Sequence, residues 1–400
     1  MPRIRPATLI KAYYESPLLP LLLKECRTLE SARNELRWLR EHALRPIPHQ
    51  HQHQHQPNPT WKTRLASLCR KRSRGYPLQY ILGDQPFGDL EILCRPGVLI
   101  PRPDTEAYVI KASKIIAQII STEQNASPNP QKSRSTPLRI LDLCTGTGCI
   151  TLLLHAILAP QFKNLHIMGI DISPKALSLA RSNLNHNLQL GLLNNRASTD
   201  IQFHRANVLS PPPPTNPTSD SEFDTLPPPV ETILREYFNV SNEADEVDHL
   251  TLSPTKVQCD LLISNPPYIS KKDFRNGTTS RSVRLFEPKL ALVPPSPLPN
   301  TPEPTSRYGN ASCCDQPEDI FYRSILELGY KLETKVIVLE CGDLQQADRV
   351  VDMHRSMVGD EEFSVQIWPF TVEDMEYYGF HSGQGSRCVI IQRKSLIPLE

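Results

Sequence analysis

From residue 138 onward, short apolar runs alternate with stretches whose apolar positions recur every three or four residues. The runs at 138–143, 165–171, 200–205, 257–263, 335–341, 363–369 and 387–393 predict buried strands; the stretches at 147–158, 174–186, 318–331 and 343–357 predict helices. Strands alternating with helices predict a mostly parallel sheet covered on both faces, an α/β domain. Further upstream, Leu29, Leu36, Leu39 and Ala43 recur at helical spacing, and 17–45 and 60–74 read as helices. Residues 78–82 and 87–93 read as two short strands joined through Gly83-Asp84-Gln85-Pro86, a hairpin. Pro103 followed by Asp104 and Glu106 is a sound start for a helix over 103–120.

Three inserts interrupt this pattern, at 122–137, 211–256 and 293–317. Each is rich in Pro, Ser, Thr or Asn and poor in large apolar residues, so little surface is available to order it, and they read as disordered. They take much of the proline content, which at 39 residues is about twice average usage. The tract His49 to His55, alternating with Gln, has no fixed ligand geometry and reads as a low-complexity loop over 46–59. The resulting organisation is a basic start (1–15), free of acids before Glu15, with the charge pattern of a transit segment, a helical domain (16–75), a hairpin connector (76–102) and a catalytic domain (103–400).

Composition narrows the partners. A net charge of +1 gives no global basic field for duplex DNA. Lys62, Arg64, Arg70, Lys71, Arg72 and Arg74 form the one basic cluster, either a solvated face or a dock for an acidic partner or RNA. None of the ten cysteines forms a Cys-x-x-Cys pair, which argues against a zinc site or a disulfide framework and for a reducing compartment. No apolar run reaches the length of a membrane span.

Two turns carry the candidate chemistry. Asp142-Leu143-Cys144-Thr145-Gly146-Thr147-Gly148 follows a strand and opens a helix, and its glycines let backbone approach a ligand. Thr151 stands where a dinucleotide fingerprint has its third glycine, which disfavours pyrophosphate and leaves room for a nucleoside cofactor. Asp171, ending the second strand of that domain, is placed to bind both ribose hydroxyls, and Asn207-Val208 follow the third strand where an adenine would lie. The second turn is Asn265-Pro266-Pro267-Tyr268, after the fourth strand. Two prolines stiffen the loop, and the Asn265 amide can pair edge to edge with a planar –NH2 group.

These residues, together with Pro77 to Gly83, Val98 to Glu106, Phe286-Glu287-Pro288, Leu290-Ala291-Leu292, Phe321-Tyr322-Arg323, Leu339-Glu340-Cys341-Gly342 and Gln345-Gln346, resemble the HemK/PrmC family of protein glutamine methyltransferases. The resemblance spans most of 20–393 outside the inserts. It implies a seven-stranded class I S-adenosylmethionine-dependent methyltransferase domain behind a small helical domain. It also implies an enzyme that methylates the glutamine of the Gly-Gly-Gln loop of class 1 peptide chain release factors. By resemblance, Asp142, Cys144, Thr145, Gly146, Thr147, Gly148, Asp171, Asn207, Val208 and Asn265 line the S-adenosylmethionine site. Asn265, Pro266, Pro267 and Tyr268 hold the glutamine, with Asn265, Pro266 and Tyr268 acting in catalysis and no metal. Asn207 and Val208 depart from the family, which often has an acid and a larger residue there.

An adenine amino-methyltransferase acting on DNA or RNA would use the same pairing logic on a flipped base; a nicotinamide-dependent oxidoreductase and a catalytically silent relative are the other readings. The bacterial-type architecture, eukaryote-like inserts and acid-free start together point to the mitochondrial matrix and a mitochondrial release factor, with the cytoplasm as the alternative.

Overall fold

The structure, a computed structural model, describes residues 4–46, 60–126, 136–209, 227–237, 258–295, 316–359, 361–369 and 386–394. The His/Gln tract therefore lies outside the described residues.

Seven strands form the central sheet: β3 (Leu138–Leu143), β4 (Leu165–Asp171), β5 (Ile201–Arg205), β6 (Leu261–Ser264), β7 (Val336–Cys341), β8 (Phe363–Trp368) and β9 (Arg387–Arg393). Their spatial order is β5-β4-β3-β6-β7-β9-β8, with β9 antiparallel to both neighbours and the other pairings parallel. Side chains alternate between two cores. Ile140, Ile263, Val338 and Ile390 face helices Pro103–Ala126 and Cys149–Leu158; Leu141, Leu262, Leu339 and Ile391 face helices Ile320–Lys331 and Leu344–Val358. Near-continuous apolar strands are what a sheet covered on both faces requires. The order of connection reverses between β3 and β6, and ligands in open α/β sheets gather beyond the strand ends at such a point.

In front of the sheet, helices Pro6–Glu15, Leu19–Cys26, Leu29–Leu44 and Trp61–Ser73 pack around Leu22, Leu23, Leu39 and Cys69. Thr28 and Thr60 cap the last two, each accepting from the backbone N–H three residues on. The basic cluster of the Trp61–Ser73 helix is not a single exposed face. Arg72 turns inward onto Glu35 at 2.7 Å, and Arg64 donates to the Arg45 carbonyl at 2.8 Å.

Three expectations need correction. Residues 78–82 are a helix, not a strand: Leu78 and Ile81 join the core of the N-terminal helices while Tyr80 packs with Cys94 and Ile100, Gly83 ends the turn at φ +97°, and the Tyr80 hydroxyl donates to the Val98 carbonyl at 2.6 Å. The hairpin instead pairs β1 (Asp84–Phe87) with β2 (Leu90–Leu93). The first residues of insert 122–137 are helical, because helix Pro103–Ala126 extends into it, and Glu123 near that helix's end meets Lys335 at 2.5 Å. Within 211–256, helix Val230–Tyr237 buries Val230, Ile233 and Leu234 against the sheet, an apolar triad concealed by its polar surroundings. Residues 127–135, 210–226, 238–257 and 296–315, where the remaining insert expectations fall, lie outside the described residues.

The hairpin is fastened to the sheet by asparagines on helix Pro174–Gln189. Asn183 and Asn187, both fully buried, use their amides like a strand edge. Asn183 Oδ1 accepts from the Leu93 N–H at 2.7 Å, and Asn187 pairs with the Glu91 N–H and carbonyl at 3.0 and 2.9 Å.

Candidate active site

The turn after β3 is shaped by three left-handed residues, Cys144 at φ +61°, Gly146 at +56° and Gly148 at +79°. For Cys144 this is a costly conformation, held by the turn around it. Gly148 has no room for a side chain, since a Cβ there would sit 3.0 Å from Ala180 and 3.1 Å from Phe203. Beneath the turn, the fully buried Asp142 accepts from Thr145 Oγ1 at 2.6 Å and Thr151 Oγ1 at 2.7 Å. Thr147 is buried too, and its carbonyl takes the Asn183 amide at 2.9 Å. Thr145 and Thr147 thus brace the turn from inside, while Cys144 and Gly146 are its partly accessible members.

Asp171, at the end of β4, is joined to this turn. Its Oδ2 accepts from the Gly146 N–H at 2.9 Å and its Oδ1 from the Ser173 N–H at 2.8 Å, which leaves a lone pair on each oxygen for a diol. Burial raises its carboxyl above the ordinary value against the lowering effect of those backbone bonds. Asn207 turns its side chain back on the chain, Oδ1 accepting from the Leu209 N–H at 3.0 Å, and Val208 packs against the sheet face.

Asn265 follows β6, neighbour to β3, so the two turns lie side by side at the reversal point. Pro266 and Pro267 are buried; Asn265 and Tyr268 are half-buried. Asn265 Nδ2 donates to Thr105 Oγ1 at 3.2 Å, and Thr105 donates to Glu340 Oε2 at 2.7 Å. The Tyr268 hydroxyl reaches Glu340 Oε1 at 3.4 Å. Desolvation pushes the Glu340 carboxyl up to about 7, with Asp104 adding to it and Thr105, Tyr268 and Arg102 opposing. Tyr268 is gripped from behind. Its ring passes so close to Gly342 that a Cβ there would lie 3.1 Å from it, and its carbonyl accepts from Gln346 Nε2 at 3.3 Å. That carbonyl is therefore paired rather than free. Gln346 is itself fixed by the Gly342 N–H at 2.8 Å and by Asp319 at 2.8 Å.

The segment after Tyr268 folds back over the site through Glu287, whose side chain is 2% exposed. It accepts from the Ile100 N–H at 3.1 Å and pairs with Arg102 at 2.8 Å. Sequence reasoning assigned no role to Thr105, Glu287, Glu340 or Gln346. The only signal was that each lies in a stretch carrying the family resemblance; their partners are distant in the chain.

The pocket's donors suit a cationic nucleoside. Asp142 Oδ1 is buried with no partner among the described residues, its carboxyl raised to about 7 by desolvation, and Asp171 offers a diol acceptor beside it. Among the described residues no group of three or more His, Cys, Asp and Glu could hold a metal ion. No helix among them is long and apolar enough to cross a membrane. This sheet, with its glycine turn and acid-tipped second strand, defines a class I S-adenosylmethionine-dependent methyltransferase.

Comparison with known proteins narrows the class. Residues 135–226 match a family described as a methyltransferase domain. The chain is 36% identical over 294 residues to the mitochondrial MRF1 N(5)-glutamine methyltransferase MTQ1 of Saccharomyces cerevisiae, covering 73% of this chain and 68% of that protein. It is 32% identical over 293 residues to the probable MRF1 mitochondrial N(5)-glutamine methyltransferase mtq1 of Schizosaccharomyces pombe, covering 73% of each. It is also 32% identical over 234 residues to the release factor glutamine methyltransferase of Pasteurella multocida, covering 58% of this chain and 57% of that one. The chain belongs to the release factor glutamine methyltransferase family.

Proposed function

We propose that this enzyme transfers the methyl group of S-adenosylmethionine to the side-chain amide nitrogen of the glutamine in the Gly-Gly-Gln motif of a mitochondrial class 1 release factor. The observation that carries this is the Asn265-Pro266-Pro267-Tyr268 loop, braced at the sheet's reversal point beside the glycine turn. Two relatives named as mitochondrial MRF1 glutamine methyltransferases support the substrate and a mitochondrial location. They disfavour an adenine amino-methyltransferase.

S-adenosylmethionine supplies an electrophilic methyl on a positively charged sulfur. Gly146 and Asp171 would hold it, with Cys144 beside them, Asn207 and Val208 bordering the base, and the buried Asp142, Thr145, Thr147 and Gly148 shaping the turn from beneath. An amide nitrogen is a poor nucleophile, since its lone pair is delocalised, and no ordinary side-chain base removes its proton at neutral pH. The chain's task is therefore orientation. Asn265 Oδ1 and the Pro266 carbonyl would accept from the glutamine –NH2, favouring a more pyramidal nitrogen whose lone pair faces the methyl carbon; as the N–C bond forms the methyl–sulfur bond breaks to leave a neutral thioether, and the methylated, positively charged and therefore strongly acidic nitrogen then loses its proton to water. The Tyr268 ring packs on the planar amide and excludes water, and Pro267 keeps the loop rigid. Positioning of this kind contributes roughly 7–11 kcal/mol, and dipoles aimed at the positive charge developing on nitrogen add to it.

Asn265→Ala tests this directly. S-adenosylmethionine binding should persist while methyl transfer falls by orders of magnitude; a full rate with binding intact would refute the mechanism. Location is tested by imaging the tagged protein with and without residues 1–15, where cytosolic signal from both would refute the mitochondrial assignment.

A further inference from the structure

A hydroxyl carries one proton, and the Thr105 hydroxyl gives its proton to Glu340 Oε2 at 2.7 Å. Towards Asn265 it can then only accept. That forces the Asn265 –NH2 to face Thr105, as it does at 3.2 Å, and turns Oδ1 away. Because its two ends are nearly the same size, an amide is oriented by its hydrogen-bond partners, and here that partner is Thr105. We propose that Glu340, acting through Thr105, is a positioning residue that fixes the Asn265 amide with its oxygen toward the substrate –NH2. The proposal rests on Asn265 accepting from the substrate amide, as argued above.

The surroundings favour this assignment. Glu340 is 3% exposed and Thr105 is 3% exposed, so water offers neither of them an alternative partner of consequence. They come from β7 and from the first turn of helix Pro103–Ala126, far apart in the chain and brought together only at the base of the Asn265 loop. A buried carboxylate is a costly way to satisfy two hydroxyls, Thr105 at 2.7 Å and Tyr268 at 3.4 Å. Ionised, it can only accept, and so fixes the direction of the Thr105 hydroxyl; unlike a carbonyl, it loses that property on protonation.

Direction depends on ionisation. Protonated, Glu340 can donate to Thr105, whose own proton is then released to turn toward Asn265 and draw Oδ1 the wrong way. Desolvation holds this carboxyl at about 7, so the switch falls near neutrality. The charged and titratable groups facing Glu340 are Arg102 and Asp104 before and in the first helical turn, Tyr108 one turn on, Tyr268, and the thiols of Cys149, Cys341 and Cys388. Burial keeps the phenols and thiols neutral through this range, which leaves Glu340 as the group whose ionisation sets the direction. The ionised form is the directing form, and the rate falls as pH drops through its pKa.

The test compares Thr105→Val, Thr105→Ser, Glu340→Gln and Asn265→Ala in the full chain, with a release factor as acceptor. Binding of S-adenosylmethionine is measured by calorimetry and kcat across pH. Thr105→Val should lower kcat about 10- to 100-fold, the scale of a misaligned reacting group, with cofactor affinity unchanged and the acid limb gone. Thr105→Ser should restore both rate and acid limb. Thr105→Val at the wild-type rate, or Thr105→Ser as poor as Thr105→Val, overturns the proposal. Should Thr105→Val fail to fold, Glu340→Gln carries the test. It cannot titrate, so its profile must lose the acid limb, and an unchanged limb overturns the proposal. Asn265→Ala separates the levels. If it turns over at full rate, the substrate reading beneath fails; if it is inactive while Thr105→Val is normal, only the relay fails.

Discussion

Replacing Asn183 by leucine keeps the γ-branched shape of a fully buried side chain, somewhat enlarged, and removes its polarity. Three bonds go: Oδ1 from the Leu93 N–H at 2.7 Å, Nδ2 to the Thr147 carbonyl at 2.9 Å and Nδ2 to the Leu93 carbonyl at 3.4 Å. The last is long and its acceptor half-exposed, so the cost lies mainly with the Leu93 N–H and the Thr147 carbonyl. At about 1–3 kcal/mol for each buried group left unsatisfied, and with water partly reaching Leu93, the loss is about 2–4 kcal/mol. The effect should be local first, because Asn187 still holds Glu91 at the other end of β2. Amide hydrogen exchange at Leu93 should therefore accelerate roughly 30- to 700-fold, the same free energy at 1.4 kcal/mol per tenfold. S-adenosylmethionine affinity should weaken as well, since Thr147 belongs to the cofactor turn. Exchange at Leu93 unchanged and an unmoved thermal transition would refute the view that these asparagines act as a substitute strand edge.

Other perturbations bear on the site from different sides. Gly169→Ala would put a Cβ 2.6 Å from the Phe203 ring and 3.0 Å from Thr145 Oγ1; it should destabilise by about 1–3 kcal/mol and loosen cofactor binding, read by denaturant midpoint and calorimetry. Glu287→Gln keeps a partner for the Ile100 N–H and cancels the Arg102 pair, so the KM for the protein acceptor should rise with cofactor affinity intact in steady-state assays. Asp142 has its folded pKa raised from 3.8 to about 7. Between those values the folded state binds more protons than the unfolded one, and its contribution to stability is lost as pH rises through that window. Asp142→Asn should flatten the pH dependence of the cofactor-free protein's unfolding between pH about 4 and 7, by as much as about 1.4 kcal/mol per unit.

The strands were legible because a sheet buried on both faces demands near-continuous apolar runs, and 138–143, 165–171 and 387–393 show them, broken on their buried sides only by Asp142 and Arg387. Residues 78–82 misled because a five-residue helix has too few turns to display a period; only Gly83, at its end, marks it. Helix Val230–Tyr237 was hidden by a different cause, its three apolar residues being diluted by charged neighbours and proline-rich flanks. The cofactor turn announced itself through glycines and an acid at the next strand end, local features a sequence displays. The Thr105–Glu340 pair and the Glu287 clasp could not be read that way. They join residues 235 and 187 positions apart, and a threonine early in one helix says nothing of which carboxylate it will meet.

The central claim is the identity of the acceptor atom. Purified protein would be incubated with methyl-labelled S-adenosylmethionine and one of three acceptors: a mitochondrial release factor, the same factor with its Gly-Gly-Gln glutamine changed to alanine, or duplex DNA. Label on the first alone is the predicted result. Label on the alanine variant, or on DNA, would contradict it.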